Sequence, residues 1–265
     1  MKEVHMEIIT SRNNDTIKAA AALKNSDTRR EKGCFLLEGA RLCADAVRSG
    51  LAVREAFFTE EAMHKYPREC SDLQAVAERS VCIADAVADR LADTKNPQGI
   101  FCVCKTLDKT KDIDKINYNG IYALTDSLQN PDNLGALART AEALGADGLI
   151  LCGGCDKYSP KALRASMGSL LRLPVFESAD ALSVVRTLQQ NGMRVFASVV
   201  DSSAKPVQDV AKGAGCVVVI GNEGNGVSQA VAQAADERIT IPMRGKAESL
   251  NAAAAAAILL WEFFK

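Results

Sequence analysis

Histidine is almost missing from this chain. Of 265 residues only His5 and His64 are imidazoles, so the second half holds no HExxH zinc motif and no histidine-based triad. Aromatic side chains are also scarce, at 5%. An excess of positive charge is lacking: 32 basic residues face 33 acidic ones, for a net charge of -1. That excludes a general basic coat, and leaves any nucleic-acid contact to a local patch. No apolar run reaches membrane-spanning length and none stands at the N-terminus, so no membrane partner is expected and the cytoplasm is the expected compartment. The nine cysteines are then expected to be reduced. Cys152-Gly-Gly-Cys155 has no second CxxC to pair with, and Cys102-x-Cys104 has the wrong spacing for a zinc knuckle, so no metal is expected.

What is present is apolar patterning, with 48% hydrophobic residues, enough for a large core and one or two domains. A locally basic start (Arg12, Lys18, Lys24, Arg29, Arg30, Lys32) includes a helical stretch at 18–23. Strands at 35–37, 53–58, 81–83 and 99–104 then alternate with helices at 38–49, 73–79 and 84–92. This predicts a small α/β domain over residues 1–104. Residues 105–119 are charged and weakly periodic, and read as a linker. A second domain, 120–265, has strands at 121–125, 148–151, 195–200, 217–220 and 239–241. Its helices are expected at 134–144, 160–171, 179–190, 228–235 and from 252 onward. Unalternated runs of Val and Ile mark strands buried on both faces, which predicts an α/β fold with a mainly parallel sheet and helices on both sides. Ligands of such sheets sit beyond the carboxyl ends of the strands.

Three loops lie at such ends. The first, 126–139, contains Asn130-Pro131, Asn133 placed to cap a helix, Gly135 and Arg139; a helix start of this kind suits a phosphate or a ribose. The second is Gly221-Asn222-Glu223-Gly224-Asn225-Gly226. Its spacing is neither the dinucleotide fingerprint nor a P-loop, which argues against a dehydrogenase. Glu223 would repel a phosphate and fits a ligand with positive charge or ribose hydroxyls. The third runs from Ile241-Pro242-Met243 through Glu248, Ser249, Leu250 and Asn251 into the alanine run 252–257. Taken singly, each loop is also compatible with a capped helix or a tight turn.

Together the loops resemble the SpoU (TrmH) family of RNA ribose 2′-O-methyltransferases in the SPOUT superfamily. Its first motif stands here as Asn133, Gly135 and Arg139, its second as Gly221, Glu223 and Gly224, and its third as Ile241, Pro242, Met243, Ser249, Leu250 and Asn251. Residues before 105 resemble, more loosely, the small RNA-binding domain of many members, through Glu38-Gly39 and Asn96-Pro97-Gln98-Gly99. The resemblance implies a deep C-terminal trefoil knot, a homodimer, and S-adenosylmethionine held on Gly221, Ile241 and Leu250 near Met243. It implies methylation of a ribose 2′-hydroxyl in structured RNA, ribosomal before transfer RNA, with Asn133, Arg139, Glu223, Ser249 and Asn251 as the catalytic set. Arg29, Arg30, Lys32, Lys157, Lys161, Arg164 and Arg172 are expected to contact RNA phosphates, since no acid stands between Lys157 and Arg172. The alternative is a non-catalytic RNA-binding or ribosome-assembly protein that retains the fold.

Overall fold

A computed structural model describes residues 8–107, 113–211 and 213–265. Five residues of the expected linker, 108–112, lie outside the described ones. The chain divides into two compact units, Met1–Leu107 with Tyr158–Arg164, and Asp108–Lys157 with Ala165–Lys265.

The first unit is built in the order β1 (Ile8–Ile9), α1 (Asp15–Ala22), α2 (Ser26–Lys32), β2 (Cys34–Glu38), α3 (Ala40–Arg48), β3 (Val53–Phe58), α4 (Glu60–Lys65), α5 (Pro67–Val76), β4 (Arg79–Ile83), α6 (Asp85–Leu91) and β5 (Ile100–Lys105). The sheet order is β1-β4-β3-β5-β2, parallel from β1 to β3 and antiparallel at β5 and β2. Phe35, Phe57, Phe58 and Phe101 are fully buried in this unit. The helix expected at 73–79 is instead α4 and α5, and Arg79 opens β4. Pro67 explains the division: it starts α5, where its missing N–H costs nothing. The Glu38-Gly39 and Asn96–Gly99 stretches meet. Gln98 Oε1 accepts the Ala40 N–H at 2.8 Å, and Glu38 Oε2 accepts the Asp93 N–H at 2.8 Å. A Cβ at Gly99, where φ is +72°, would overlap the Thr59 side chain.

The second unit continues with β6 (Ile121–Asp126), α7 (Pro131–Leu144), β7 (Gly148–Cys152), α8 (Pro160–Ala165), α9 (Ser169–Arg172), β8 (Val175–Ser178), α10 (Ala181–Gln190), β9 (Arg194–Ser198), β10 (Lys205–Pro206), β11 (Cys216–Ile220), α11 (Gln229–Ala234), β12 (Glu237–Thr240) and α12 (Ala252–Phe264). Most of α8 groups with the first unit. The strands form one sheet, β10-β12-β9-β11-β6-β7-β8, and every pairing in it is parallel. β6, β7, β9 and β11 are buried over most of their lengths, and their core includes Leu124, Ile150, Val195, Val217 and Val219. Parallel strands covered on both faces read as unbroken apolar runs for this reason.

Two details differ from the sequence reading and bear on the site. The helix expected at 160–171 breaks between α8 and α9, where Met167 (φ 50°) and Gly168 (φ 86°) are both left-handed. The cap of α7 is Asn130, whose side chain accepts the Asp132 N–H at 2.8 Å. Asn133 therefore sits inside the first turn, with its side chain available for other work.

Candidate active site

Three loops follow strands of the parallel sheet: 127–130 after β6, 221–228 after the adjacent β11, and 241–251 after β12, which β9 separates from β11. The loop after β11 closes on itself. Asn222 and Gly226 exchange both backbone hydrogen bonds at 2.9 Å. Asn222 Oδ1 accepts the N–H groups of Gly224 (2.9 Å) and Asn225 (3.1 Å), and its Nδ2 donates to Ser127 O at 2.9 Å. A Cβ on Gly221 would overlap the backbone of Gly226 and Val227, so the turn requires glycine there.

This turn presents Glu223 to the loop before α7. Its carboxylate accepts the N–H of Gln129 (3.0 Å), the N–H of Asn130 (2.9 Å) and Nδ2 of Asn133 (2.9 Å). Partial burial alone would raise the Glu223 pKa. The donors from Gln129, Asn133, Asn130 and its own backbone outweigh burial and hold it below the usual value. Asn133 is 6% exposed, and its Oδ1 accepts Asn251 Nδ2 at 3.0 Å. Asn251 in turn caps α12 through the N–H groups of Ala253 (2.9 Å) and Ala254 (3.3 Å). A continuous chain of hydrogen bonds, α12–Asn251–Asn133–Glu223, thus ties the three loops into one arrangement. Every donor and acceptor in it is complementary, so the side-chain orientations are fixed.

Beside it lies a cleft of about 90 Å³. Its lining includes Ile241, Met243, Ser249 and Leu250, and also Ser198–Val200 at the carboxyl end of β9. Met243, Leu250 and Val200 are 38%, 37% and 74% exposed, an unusual set of large apolar groups facing outward. Glu248 is the one charged residue among those lining it. Residues 243–250 make no backbone hydrogen bond to any described residue, so their polar groups face the cleft or solvent. The expected cofactor contacts Ile241, Met243 and Leu250 come together here. Gly221 is not part of the lining and instead shapes the turn that carries Glu223. Ser198, Val199, Val200 and Glu248 were not among the expected site residues. The rule that ligands sit past strand ends misses the first three because the strand expected to reach 200 ends at Ser198.

Arg139 is exposed on α7 and makes no hydrogen bond or ion pair with any described residue. The other expected RNA contacts fare unevenly. Arg29 is a correction: it is 4% exposed, and its guanidinium closes α1 by donating to Leu23 O and Lys24 O, both at 2.8 Å. Lys157 is a second correction, 4% exposed and paired with Glu177 at 2.6 Å. Arg164 pairs with Asp93 at 2.7 Å within the first unit, and Arg172 grips Glu142. The run lacks acids in sequence, but acids distant in sequence reach it in the fold. Arg30, Lys32 and Lys161 remain exposed, the first two in surface pairs with Asp27 and Glu31. In the CxxC, burial pushes the Cys152 thiol up to about 12 and Cys155 to about 11, so neither ionises near neutrality. Among the described residues no His, Cys, Asp and Glu side chains cluster as metal ligands, and no helix is long and apolar enough to cross a membrane.

A profile of the SpoU rRNA Methylase family matches residues 120–261. The chain belongs to the SpoU family. A second profile, the MRM3-like substrate binding domain, matches residues 14–102. Among curated SpoU relatives, the 23S rRNA (guanosine(2553)-2′-O)-methyltransferase RlmP of Bacillus subtilis is 32% identical over 257 residues, 97% of this chain and 98% of the relative. The 23S rRNA (uridine(2479)-2′-O)-methyltransferase of Streptomyces viridochromogenes is 33% identical over 262 residues, covering 96% of this chain and 90% of that one. Among solved structures, the AdoMet-bound rRNA methyltransferase from Sinorhizobium meliloti superposes with a TM-score of 0.86 at 26% identity, over 97% of this chain and 96% of that one. The SpoU methyltransferase AviRb with AdoMet gives 0.83 at 28% identity, over 95% and 97%.

Proposed function

We propose that this SpoU-family chain methylates a ribose 2′-hydroxyl of ribosomal RNA, using S-adenosylmethionine. The observation that carries the reading is the hydrogen-bond chain from α12 through Asn251 and Asn133 to Glu223, set against an apolar cleft with one carboxylate. Two relatives are named for a guanosine and a uridine of 23S rRNA. What those reactions share is the ribose, and the site here offers groups suited to hydroxyls and to a cation rather than to one base.

The cleft fits the cofactor. Met243, Leu250, Ile241 and Val200 supply apolar walls for an adenine, and free backbone groups of 243–250 can read its edge. Glu248 suits a molecule that carries net positive charge. Bound there, S-adenosylmethionine supplies an activated methyl group on a sulfonium, so alignment is the protein's main contribution. The 2′-hydroxyl must lose a proton, yet residues 113–265 contain no histidine. A guanidinium is a poor general base, so Arg139 is assigned a different role. It holds the adjacent phosphate and favours the ionised hydroxyl, while a phosphate oxygen or water takes the proton. Glu223 is held ionised by its donors, and Asn133, Asn251 and Ser249 orient the ribose.

The domain roles follow: residues 1–104 bind RNA, 105–119 link, and 120–265 catalyse. The substrate-binding profile over 14–102 supports the first of these. Exposed Arg30, Lys32 and Lys161 are retained as phosphate contacts; Arg29 and Lys157 are not. A homodimer is supported by α12, where Ala254, Ile258 (41% exposed) and Trp261 (58% exposed) form an outward apolar stripe at helical spacing. A trefoil knot in the last strand–loop–helix and a cytoplasmic location complete the reading. The test is methyl transfer from labelled S-adenosylmethionine to bacterial RNA, size-separated, with Arg139→Ala alongside. Label in 23S rRNA that disappears in the variant is expected. Absence of label in any RNA, with the cofactor still binding, would favour the non-catalytic assembly protein instead.

A further inference from the structure

Arg139 occupies an exposed position on α7, where one of its neighbours along the helix carries a charge. At three or four residues before and after it stand Gly135, Ala136, Glu142 and Ala143. On a helix, positions three apart are adjacent, roughly 5–6 Å between Cβ atoms. Glu142 is therefore the natural ion-pair partner of Arg139, and a carboxylate there would compete with an RNA phosphate. It is not so engaged. Arg172, from α9, takes Glu142 in a two-pronged grip, Nε to Oε1 at 2.6 Å and Nη2 to Oε2 at 2.8 Å. The Arg172 hydrogen bond is the main cause that holds the Glu142 pKa low, against partial burial and with help from Ser169. Arg172 also donates to Met167 O at 3.4 Å, at the left-handed break that ends α8 and starts α9. The fork geometry of a guanidinium fits a carboxylate on both oxygens, which leaves Glu142 little capacity for a second cation.

We infer that Arg172 is a positioning residue for the reaction: by occupying Glu142 it keeps Arg139 unpaired and available to the RNA backbone. This rests on the reading of Arg139 as the group that meets the phosphate. The break at Met167 and Gly168 has a purpose in this scheme, since it turns the chain so that α9 can bring Arg172 to α7. The sequence reading placed Arg172 on the RNA; the structure places it one step behind.

The experiment compares Arg172→Met, Glu142→Gln, the double variant and Arg139→Ala, each in the full-length protein. The readouts are kcat and KM for rRNA and the Kd of S-adenosylmethionine. An arginine preceding its acid on a helix is the weaker orientation of such pairs, so the effect is several-fold and not many orders. In Arg172→Met, kcat/KM is expected to fall about three- to tenfold, from pairing and from the uncompensated charge near Arg139. Cofactor Kd should stay within about twofold, because the cleft is untouched. Adding Glu142→Gln to Arg172→Met should restore kcat/KM to within about twofold of wild type, as should Glu142→Gln alone. A merely structural role for Arg172 predicts no rescue, because the double variant also lacks the brace on Met167. An unchanged Arg172→Met, or a double variant no better than Arg172→Met, overturns the inference. Full activity in Arg139→Ala instead overturns the reading on which it rests.

Discussion

Replacing Asn133 with alanine removes the middle of the hydrogen-bond chain and leaves both ends in place. Its Nδ2 bond to Glu223 (2.9 Å) is charge-assisted, and its Oδ1 bond from Asn251 (3.0 Å) is neutral. A bond to a charged group contributes about 1.5–3 kcal/mol and a neutral one about 0.5–1.5. Glu223 is exposed and keeps its Gln129 and Asn130 donors, so its part falls at the low end. The expected loss for Asn133→Ala is therefore about 2–3 kcal/mol. Trp261 is the sole tryptophan and stands on α12, so its fluorescence during urea unfolding follows the unit that contains the change. The pH dependence gives a second, sharper check. The folded pKa of Glu223 lies below its unfolded value, so its stabilising contribution is present above the unfolded value and is lost as pH falls through the folded one. Asn133 supplies part of that lowering. The stability gap between wild type and Asn133→Ala should narrow as pH falls below about 4.5, the ordinary glutamate range. A variant within about 0.5 kcal/mol of wild type at pH 7 would refute the claim that this chain of bonds holds the loops together. So would a gap that does not change with pH.

Gly221→Ala should open the 221–226 turn, because its Cβ meets backbone and not a flexible side chain; a loss of about 2–4 kcal/mol and weakened cofactor binding by calorimetry are expected. Glu248→Gln should weaken S-adenosylmethionine more than S-adenosylhomocysteine, which lacks the sulfonium charge, and equal weakening of both would remove Glu248 from cofactor recognition. Ile258→Glu on the outward stripe of α12 should shift a dimer toward monomer in sedimentation velocity at micromolar protein, and an unchanged distribution would place any dimer contact elsewhere.

Much of the catalytic unit is legible in its sequence because β6, β7, β9 and β11 are unbroken apolar runs bounded by glycine or polar turns. Shorter elements leave no such trace. β8 is four residues, Val175–Ser178, two of them polar, and β10 is only Lys205–Pro206. The continuous helix expected over 160–171 fails at Met167, a residue whose identity does not announce a left-handed backbone. Within the site, residue types and spacing identify the three loops, yet they do not reveal the wiring. Asn133 looks like a cap because it stands near a helix start, but Asn130 already fills that role. Its real partners lie 90 and 118 residues away. Charge is read worst of all. Local absence of acids makes Lys157 and Arg172 look free, while Glu177 and Glu142 reach them only through the fold.

The alanine run acquires a reason from the same wiring. Asn251 can reach Asn133 only if the start of α12 comes close to the first turn of α7, and the two helices do pack against each other. The buried residues of α7 include Gly135, Ala138 and Ala141 beside Leu134 and Leu137, and α12 buries Ala256 with half-buried alanine neighbours. Axes separated by small side chains can approach nearer than the usual 8–10 Å limits set by leucine-sized contacts. Larger residues at 252–257 would bury more apolar area and stabilise an isolated helix pair better. They would also hold Asn251 away from Asn133, and the loop 241–250 would lose its anchor at the helix start. The composition of α12 is therefore better explained by the site it positions than by the core it fills.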